Sequence, residues 1–249
     1  MIASLMMYDR PEVATEHAVY WRALRASLAQ HGIDTPETLS NNAPVFDVWR
    51  APDLVFSQTC GMPYRTFLAD EVTLIGTPDF GIDECQPGHY RSAVVVRADD
   101  AREGLKQFEQ ARFAYNETGS QSGYAAIYAL AQRHGFWFSD RVASGGHRAS
   151  AQMVAEGRAD IAAVDAQTWR YLNRFDSFAN DLRVLDWTSP TPGLPYIAGQ
   201  QLDGDTMFNA VGDAIDGLPA DVRDALDLRG IVRITRADYL AIENPPQVA

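Results

Sequence analysis

The sequence predicts an α/β protein of two lobes, each a mostly parallel sheet flanked by helices. Apolar, β-branched segments alternate with helical segments along the whole chain. Two polar or proline-rich stretches interrupt this alternation, "RADDA" at 97–101 and "TSPTPGLP" at 188–195. The 249 residues, 46% of them hydrophobic, suffice for two modest domains. Two crossings imply an inserted domain, so we assign residues 1–97 and 190–249 to an outer lobe and 98–189 to an inserted lobe.

Each element of the first half follows from its local pattern. "IASLMMY" reads as a buried strand, and Pro11 suits the first turn of an amphipathic helix that ends at Gly32. Strands are predicted at "PDLVFSQ", "VTLIGTP" and "YRSAVVVRA", because β-branched residues favour strand over short helix. A helix near "AREGLKQFEQA", the strand "RFAYN" and a further helix complete this half.

The second half continues the alternation. Its predicted elements are the helix "HRASAQMVAEG" ended by Gly157, the strand "ADIAAVD", the helix "AQTWRYLNRF" and the strand "LRVLDWT". One more strand and two short helices follow the proline cluster. Ligands of open α/β sheets bind at the carboxyl ends of strands, and in a two-lobed protein these ends face the cleft. We therefore expect a ligand site in a cleft between the lobes.

The charge of the chain argues against two classes of partner. The 33 acidic and 21 basic side chains give a formal charge of -12, which repels nucleic acid backbones and anionic lipid headgroups. No apolar run approaches the roughly 18 residues of a spanning helix. We expect neither nucleic acid binding nor membrane insertion. The first residues do not read as an export signal, which predicts a cytoplasmic protein or a trimmed start.

The cysteines and histidines give no metal motif. Cys60 and Cys85 could form a disulfide worth roughly 3 to 4 kcal/mol, or could be two buried thiols, and the residues leave both open. The five histidines are scattered in sequence, without a pair at metal-ligand spacing. Nucleophile-elbow, Walker, zinc-protease and dinucleotide motifs are missing from the sequence. We predict no metal, no cofactor and no catalytic residue.

The stretch "NETGSQSGY" contains the first candidate binding site. After the strand "RFAYN", the residues Ser120, Gln121, Ser122 and Gly123 fall in the first turn of a helix, where backbone N–H groups lack partners. Hydroxyls, free amides and the positive helix end bind oxyanions, and Gly123 permits close approach. A plain serine cap explains the same residues.

Two further motifs follow predicted strands or turns. "SGGHRAS" places His147 at a second helix start, where its imidazole and the free amides suit a doubly charged anion. Asp165 ends the strand "ADIAAVD" and either fixes a ligand's amine or hydroxyl or caps the next helix. From the outer lobe, Tyr8, Thr59 and Tyr64 follow strands and could close over a ligand, although aromatic residues there also serve packing.

Together, "QTCGMPY", "NETGSQSGY", "SGGHRAS" and "ADIAAVDAQTW" resemble the phosphate/phosphite/phosphonate substrate-binding proteins of ABC transporters. The resemblance implies the type 2 periplasmic-binding-protein fold and hinge closure around a small-molecule anion. It implies that the Ser120–Gly123 turn binds the anion, with His147 in the cleft and a tyrosine at Tyr64. It further implies that Asp165 holds the amine of an aminoalkylphosphonate, that the partner is an ABC permease, and that the protein is periplasmic and monomeric.

Two alternatives stay open from the sequence. The same fold occurs in cytoplasmic enzymes of menaquinone biosynthesis, in which Asp165 or Glu117 would be the general base for a carboxylated substrate. A ligand-sensing lobe that serves a histidine kinase would use the same closure as a transport protein. The leading interpretation is a transport protein rather than an enzyme.

Overall fold

The computed structural model describes residues 1–246; residues 247–249, the last of the predicted outer lobe, lie outside the described residues. The chain divides into two compact units. The first consists of Met1–His89 and Pro192–Ile242, and the second of Tyr90–Thr191 with, among the described residues, 243–246. The crossings therefore fall at 89/90 and 191/192, whereas the sequence placed them at 97/98 and 189/190.

The first segment of the chain supplies the first half of unit one. Its elements are β1 (Ile2–Ala3), α1 (Ala14–Gln30), α2 (Val45–Trp49), β2 (Leu54–Gln58), α3 (Gly61–Pro63, continued as a π turn over Tyr64–Leu68), β3 (Val72–Asp79) and the crossing strand β4 (His89–Tyr90). The predicted strand "IASLMMY" is mostly wrong, because only its first residues pair and Met6–Tyr8 forms a 3₁₀ turn.

Unit two contains a second five-stranded sheet. Its elements are β5 (Ser92–Arg97), β6 (Phe113–Tyr115), α4 (Ala126–Arg133, preceded by a π turn over Gln121–Ala125), β7 (Arg141–Ala143), α5 (His147–Ala155), β8 (Ile161–Asp165), α6 (Ala166–Phe175), β9 (Leu182–Trp187) and the crossing strand β10 (Thr191–Pro192). The helix predicted near "AREGLKQFEQA" is wrong: only the 3₁₀ turn Leu105–Phe108 forms, after an extended Gly104.

The chain then returns to unit one and completes its sheet. The returning elements are β11 (Tyr196–Gly199), α7 (Gly204–Asp216), α8 (Ala220–Ala225), β12 (Gly230–Val232) and α9 (Arg236–Leu240). The strand order is β1-β2-β11-β3-β12 in unit one and β7-β6-β8-β5-β9 in unit two, and the crossing strands β4 and β10 pair with each other.

The two-lobed α/β class is confirmed, but the pairing is mixed rather than mostly parallel. In unit one β1 and β2 are parallel, and β11 is antiparallel to both β2 and β3. In unit two β6 is parallel to β7 and β8, and β5 is antiparallel to β8 and β9. The strands β5 and β11 each directly follow a crossing and enter their sheets in the reverse direction. The periodicity of apolar residues does not indicate strand direction, so the sequence did not predict these antiparallel pairs.

Strand β5 belongs to unit two, which is why the first crossing lies earlier than predicted. Its register pairs Ser92 with Asp165 and Val96 with Ile161 on β8. Its side chains also alternate between two buried clusters, Val94 and Val96 on one face of the sheet and Ala93 and Val95 on the other. A strand buried on both faces reads as a continuous apolar run, as "SAVVV" does.

The structure has no bond between Cys60 and Cys85, so it does not support the disulfide alternative. Cys60 directly follows β2, and Cys85 lies in the loop after β3. Within residues 1–246, no helix has the length and apolar composition for a membrane crossing, and no acidic, histidine or cysteine side chains group as metal ligands.

Gly193, just after the second crossing, tests how tightly unit one is packed. A Cβ on Gly193 would lie 2.7 Å from the carbonyl oxygen of Gly88, to which the Gly193 N–H already donates. We expect Gly193→Ala to lower the free energy of unfolding by about 1 to 3 kcal/mol, since backbone cannot yield as a side chain can. Urea denaturation measures this.

The matched control is Gly230→Ala in β12, where a Cβ would meet no atom within 4 Å. We expect this variant to unfold at nearly the wild-type urea concentration. Equal losses in the two variants would contradict the packing argument.

Candidate oxyanion-binding site

Three helices of unit two begin where three neighbouring parallel strands end. Helix α4 with its π turn follows β6, α5 follows β7 and α6 follows β8, and the strands lie in the order β7-β6-β8. The carboxyl ends of parallel strands share one edge of a sheet. The sequence-predicted residues of all three motifs therefore meet there, each at a helix N-terminus whose N–H groups point outward.

The Ser120 turn combines a cap with an unusual first turn. The Ser120 Oγ accepts from the Gly123 N–H at 3.0 Å, which is the plain-cap geometry. The following turn is a π turn, in which the Ala125 N–H donates to the Ser120 carbonyl. The wider spacing of a π turn leaves more N–H groups at the helix start, and such turns occur at functional sites. Gln121 and Ser122 are buried within it.

Neighbouring side chains leave no room for a Cβ at Gly123. A Cβ at this position would overlap Asn116 Oδ1 and lie 3.0 Å from His147 Cε1. The glycine therefore lets the first turn of α4 approach the imidazole of α5. Close approach to a ligand, predicted from the sequence, remains a prediction.

A short loop positions His147 as the first residue of α5. The Ser144 Oγ lies 2.6 Å from the Ser150 Oγ, and the Ser144 N–H donates to the Tyr115 carbonyl. Gly145 has a φ of 85°, a conformation that favours glycine. The loop joins the end of β7 to that of β6 and fixes the place where α5 begins.

His147 has two polar partners within unit two. Its Nε2 lies 2.8 Å from the Ser122 Oγ, and its Nδ1 lies 3.3 Å from the Ala163 carbonyl oxygen. Burial lowers the pKa of His147, while the negative charge of Asp165 and the Ala163 carbonyl act in the opposite direction. Because the net shift of the pKa is downward, the imidazole is neutral at any pH well above its ordinary pKa of 6.5.

Asp165 caps α6, which is one of the two roles considered for it. Its Oδ1 accepts from the Thr168 N–H at 2.8 Å, and the residue is 2% exposed. The capping carboxylate interacts favourably with the positive end of α6. Contact of Asp165 with a ligand amine remains a prediction.

The outer-lobe candidates all lie in unit one. Tyr8 packs its ring edge-on against Phe80, and the Thr59 N–H donates to the Pro195 carbonyl. Tyr64 is 1% exposed and packs against Tyr239, and burial raises its pKa to about 12. Packing therefore accounts for both tyrosine rings. Ligand contacts of Tyr8, Thr59 and Tyr64 remain predictions.

Two residues of the site were missed by sequence reasoning. The Ser92 Oγ donates to the Ser122 carbonyl at 2.9 Å and so ties the start of α4 to strand β5. The only available signal was a polar residue at the head of the apolar run "SAVVV". Asn116, which confines Gly123, had no signal, because its contact depends on the loop between β6 and the π turn.

Comparison with solved structures gives the class of this protein. PhnD1 from Prochlorococcus marinus in complex with methylphosphonate has a TM-score of 0.71 at 15% identity, covering 96% of this chain and 94% of that one. A binding protein component of an ABC phosphonate transporter from Pseudomonas aeruginosa has a TM-score of 0.70 at 17% identity, covering 96% and 82%. A histidine kinase sensor domain with similarity to periplasmic binding proteins has a TM-score of 0.60 at 15% identity, covering 98% of both chains. The fold is that of periplasmic binding proteins.

A family profile gives the particular assignment. The profile described as "ABC transporter, phosphonate, periplasmic substrate-binding protein" matches residues 65–239, and the chain belongs to this family. A comparison with curated protein sequences finds no match. The family consists of transport proteins rather than enzymes, so the menaquinone-biosynthesis alternative is not favoured.

Replacing Asp165 tests its role as a helix cap. We expect Asp165→Ala to lower the free energy of unfolding by about 1 kcal/mol, because the Thr168 N–H loses its acceptor. Asp165→Asn retains an Oδ1 acceptor and should lose less. Urea denaturation of both variants measures the difference, and a larger loss in the Asn variant would contradict the cap.

The lowered pKa of His147 has a consequence for stability. Unfolding restores the ordinary pKa of 6.5, so below that pH the unfolded chain binds a proton that the folded chain resists. The contribution of neutral His147 is complete above pH 6.5 and is lost as the pH falls through the lower folded pKa. We expect the drop in unfolding free energy between about pH 7.5 and about pH 5.5 to be smaller in His147→Gln.

Both proteins share every other titrating group, including His17, whose pKa burial also lowers. The comparison of wild type with His147→Gln therefore isolates one imidazole. An identical drop in both would show that His147 titrates normally in the folded protein.

Proposed function

We propose that this protein captures a small phosphorus oxyanion, a phosphonate, phosphite or phosphate-like compound, and delivers it to an ABC permease. The observation that carries the proposal is the junction of two helix N-termini in unit two, where Ser122 of the π turn lies 2.8 Å from His147 of α5. Hydroxyls, outward N–H groups and the positive ends of two helix dipoles are the groups that bind oxyanions at helix starts.

The anion would bind at the edge where β6, β7 and β8 end. Ser120 keeps its hydroxyl hydrogen for the ligand, because the cap uses only a lone pair of its Oγ. The membership of a phosphonate-binding transport family supports this ligand class. If the ligand carries an amine, we assign the binding of this amine to Asp165, because the Asp165 carboxylate is buried nearby at the end of β8.

The remaining parts of the proposal rest on the family and its fold. They are a periplasmic location, a monomeric state, closure of the two units about their crossing segments, and contributions from Tyr8, Thr59 and Tyr64 on closing. A sensor that signals to a histidine kinase would capture its ligand in the same way. We favour transport because the family is one of transport proteins.

Calorimetric titration with methylphosphonate, phosphite, phosphate and 2-aminoethylphosphonate tests the ligand class, with sulfate and taurine for comparison. We expect one phosphorus oxyanion to bind. Ser120→Ala and Ser122→Ala should each weaken it by about 1 to 3 kcal/mol, or between about fivefold and 150-fold in Kd, since each removes a charge-assisted hydrogen bond.

The matched control is Ser177→Ala, which removes an exposed serine of the same unit. It should bind with the wild-type Kd. Binding that is equal in all three variants would move the site elsewhere, and no binding of any phosphorus oxyanion would defeat the proposed ligand class.

A further inference from the structure

The two contacts of His147 determine where its hydrogen lies. A carbonyl oxygen only accepts hydrogen bonds, so the Nδ1 that lies 3.3 Å from the Ala163 oxygen must be protonated. A neutral imidazole has a single N–H, which leaves Nε2 as an acceptor. The Ser122 hydroxyl, 2.8 Å away, therefore donates to Nε2.

With the hydrogen bond in this direction, the Ser122 hydroxyl cannot donate to an anion. A serine hydroxyl has one hydrogen, and in the resting protein that hydrogen points to His147. An approaching oxyanion would face only lone pairs of the Ser122 Oγ. One additional proton on Nε2 reverses the direction of the hydrogen bond between His147 and Ser122. The Nε2–H then donates to the Ser122 Oγ, and the hydroxyl hydrogen turns to the ligand.

We propose that oxyanion binding at Ser122 draws one proton from solvent onto Nε2 of His147, so that the protein takes up its ligand together with a proton. The proposal rests on the proposed function, since it concerns the same site. No covalent bond to the ligand forms. The proton adds to the Nε2 lone pair, and the Ser122 hydrogen changes its acceptor from Nε2 to a ligand oxygen.

The surroundings of His147 favour protonation once an anion is present. The neutral Ser122 and Gly123 face it from the first turn of α4, and the Ala163 carbonyl accepts from it on β8. The charged group that acts on it is Asp165, at the end of β8. Asp176, at the end of α6, is paired with Arg148 at 2.7 Å. Burial destabilises the charged imidazolium, whereas the negative charges of Asp165 and of the bound ligand stabilise it.

The coupling predicts a pH-dependent affinity. Between about pH 8 and about pH 9 a phosphate-type ligand is fully ionised and resting His147 is neutral, so binding must take up the proton. We expect the Kd for phosphite to rise about tenfold over this unit of pH. Titrations in buffers of different ionisation enthalpy should report about one proton taken up per ligand, and the ¹⁵N shifts of His147 should change from neutral imidazole to imidazolium on binding.

A glutamine in place of His147 supplies a permanent donor near the position of Nε2. We expect His147→Gln to bind phosphite with little change in Kd between the two pH values and without proton uptake. The matched control is His134→Gln, which replaces an exposed histidine at the end of α4 and should retain the wild-type pH slope.

Two outcomes separate this inference from the proposed function. If no phosphorus oxyanion binds at either pH, the proposed function fails and the coupling fails with it. If phosphite binds while His147 stays neutral, or if His147→Gln keeps the tenfold slope, the coupling alone is overturned, and a proton on the ligand explains any remaining slope.

Discussion

The parallel pairing of β6 with both β7 and β8 is the constraint on which the site depends. It brings three strand ends to one edge of the sheet, and each strand there is followed by a helix. A helix that follows a parallel strand starts at the carboxyl edge and presents its unpaired N–H groups there. Three short motifs, separated by up to 45 residues of sequence in a 249-residue chain, thereby come together at one candidate site.

The same arrangement is how, on the proposed function, an acidic protein would attract an anion. The formal charge is -12, yet the charges that matter are local, because exposed charges beyond about 8 Å are largely screened at physiological ionic strength. At the candidate site the buried carboxylate of Asp165 accepts a hydrogen bond from the start of α6, so the helix dipole offsets part of its charge. The helix starts at Ser120 and His147 have no such carboxylate cap.

The sequence predicted most of the strands and the helices around the site, because each has a local signal. "ADIAAVD" and "AQTWRYLNRF" contain the observed β8 and α6, and the serine and histidine motifs lie at helix starts as expected. Strand direction and pairing order depend on contacts distant in sequence, so the mixed sheets and the place of β5 were not predictable from local patterns. The Ser92 to Ser122 bond was missed for the same reason.

Capping and ligand binding, treated as competing interpretations of the same residues, are compatible in the structure. The Ser120 Oγ accepts a hydrogen bond from the Gly123 N–H and keeps its own hydroxyl hydrogen, so the cap preorganises a donor at a helix start. Ser122 makes the opposite use of its hydroxyl, since its hydrogen is committed to His147 and only lone pairs remain. Two serines in one turn are therefore inequivalent: one is a donor at rest, and the other becomes a donor only when the imidazole carries a proton. The sequence "SQS" gives no sign of this difference, because it depends on His147, which α5 places beside Ser122.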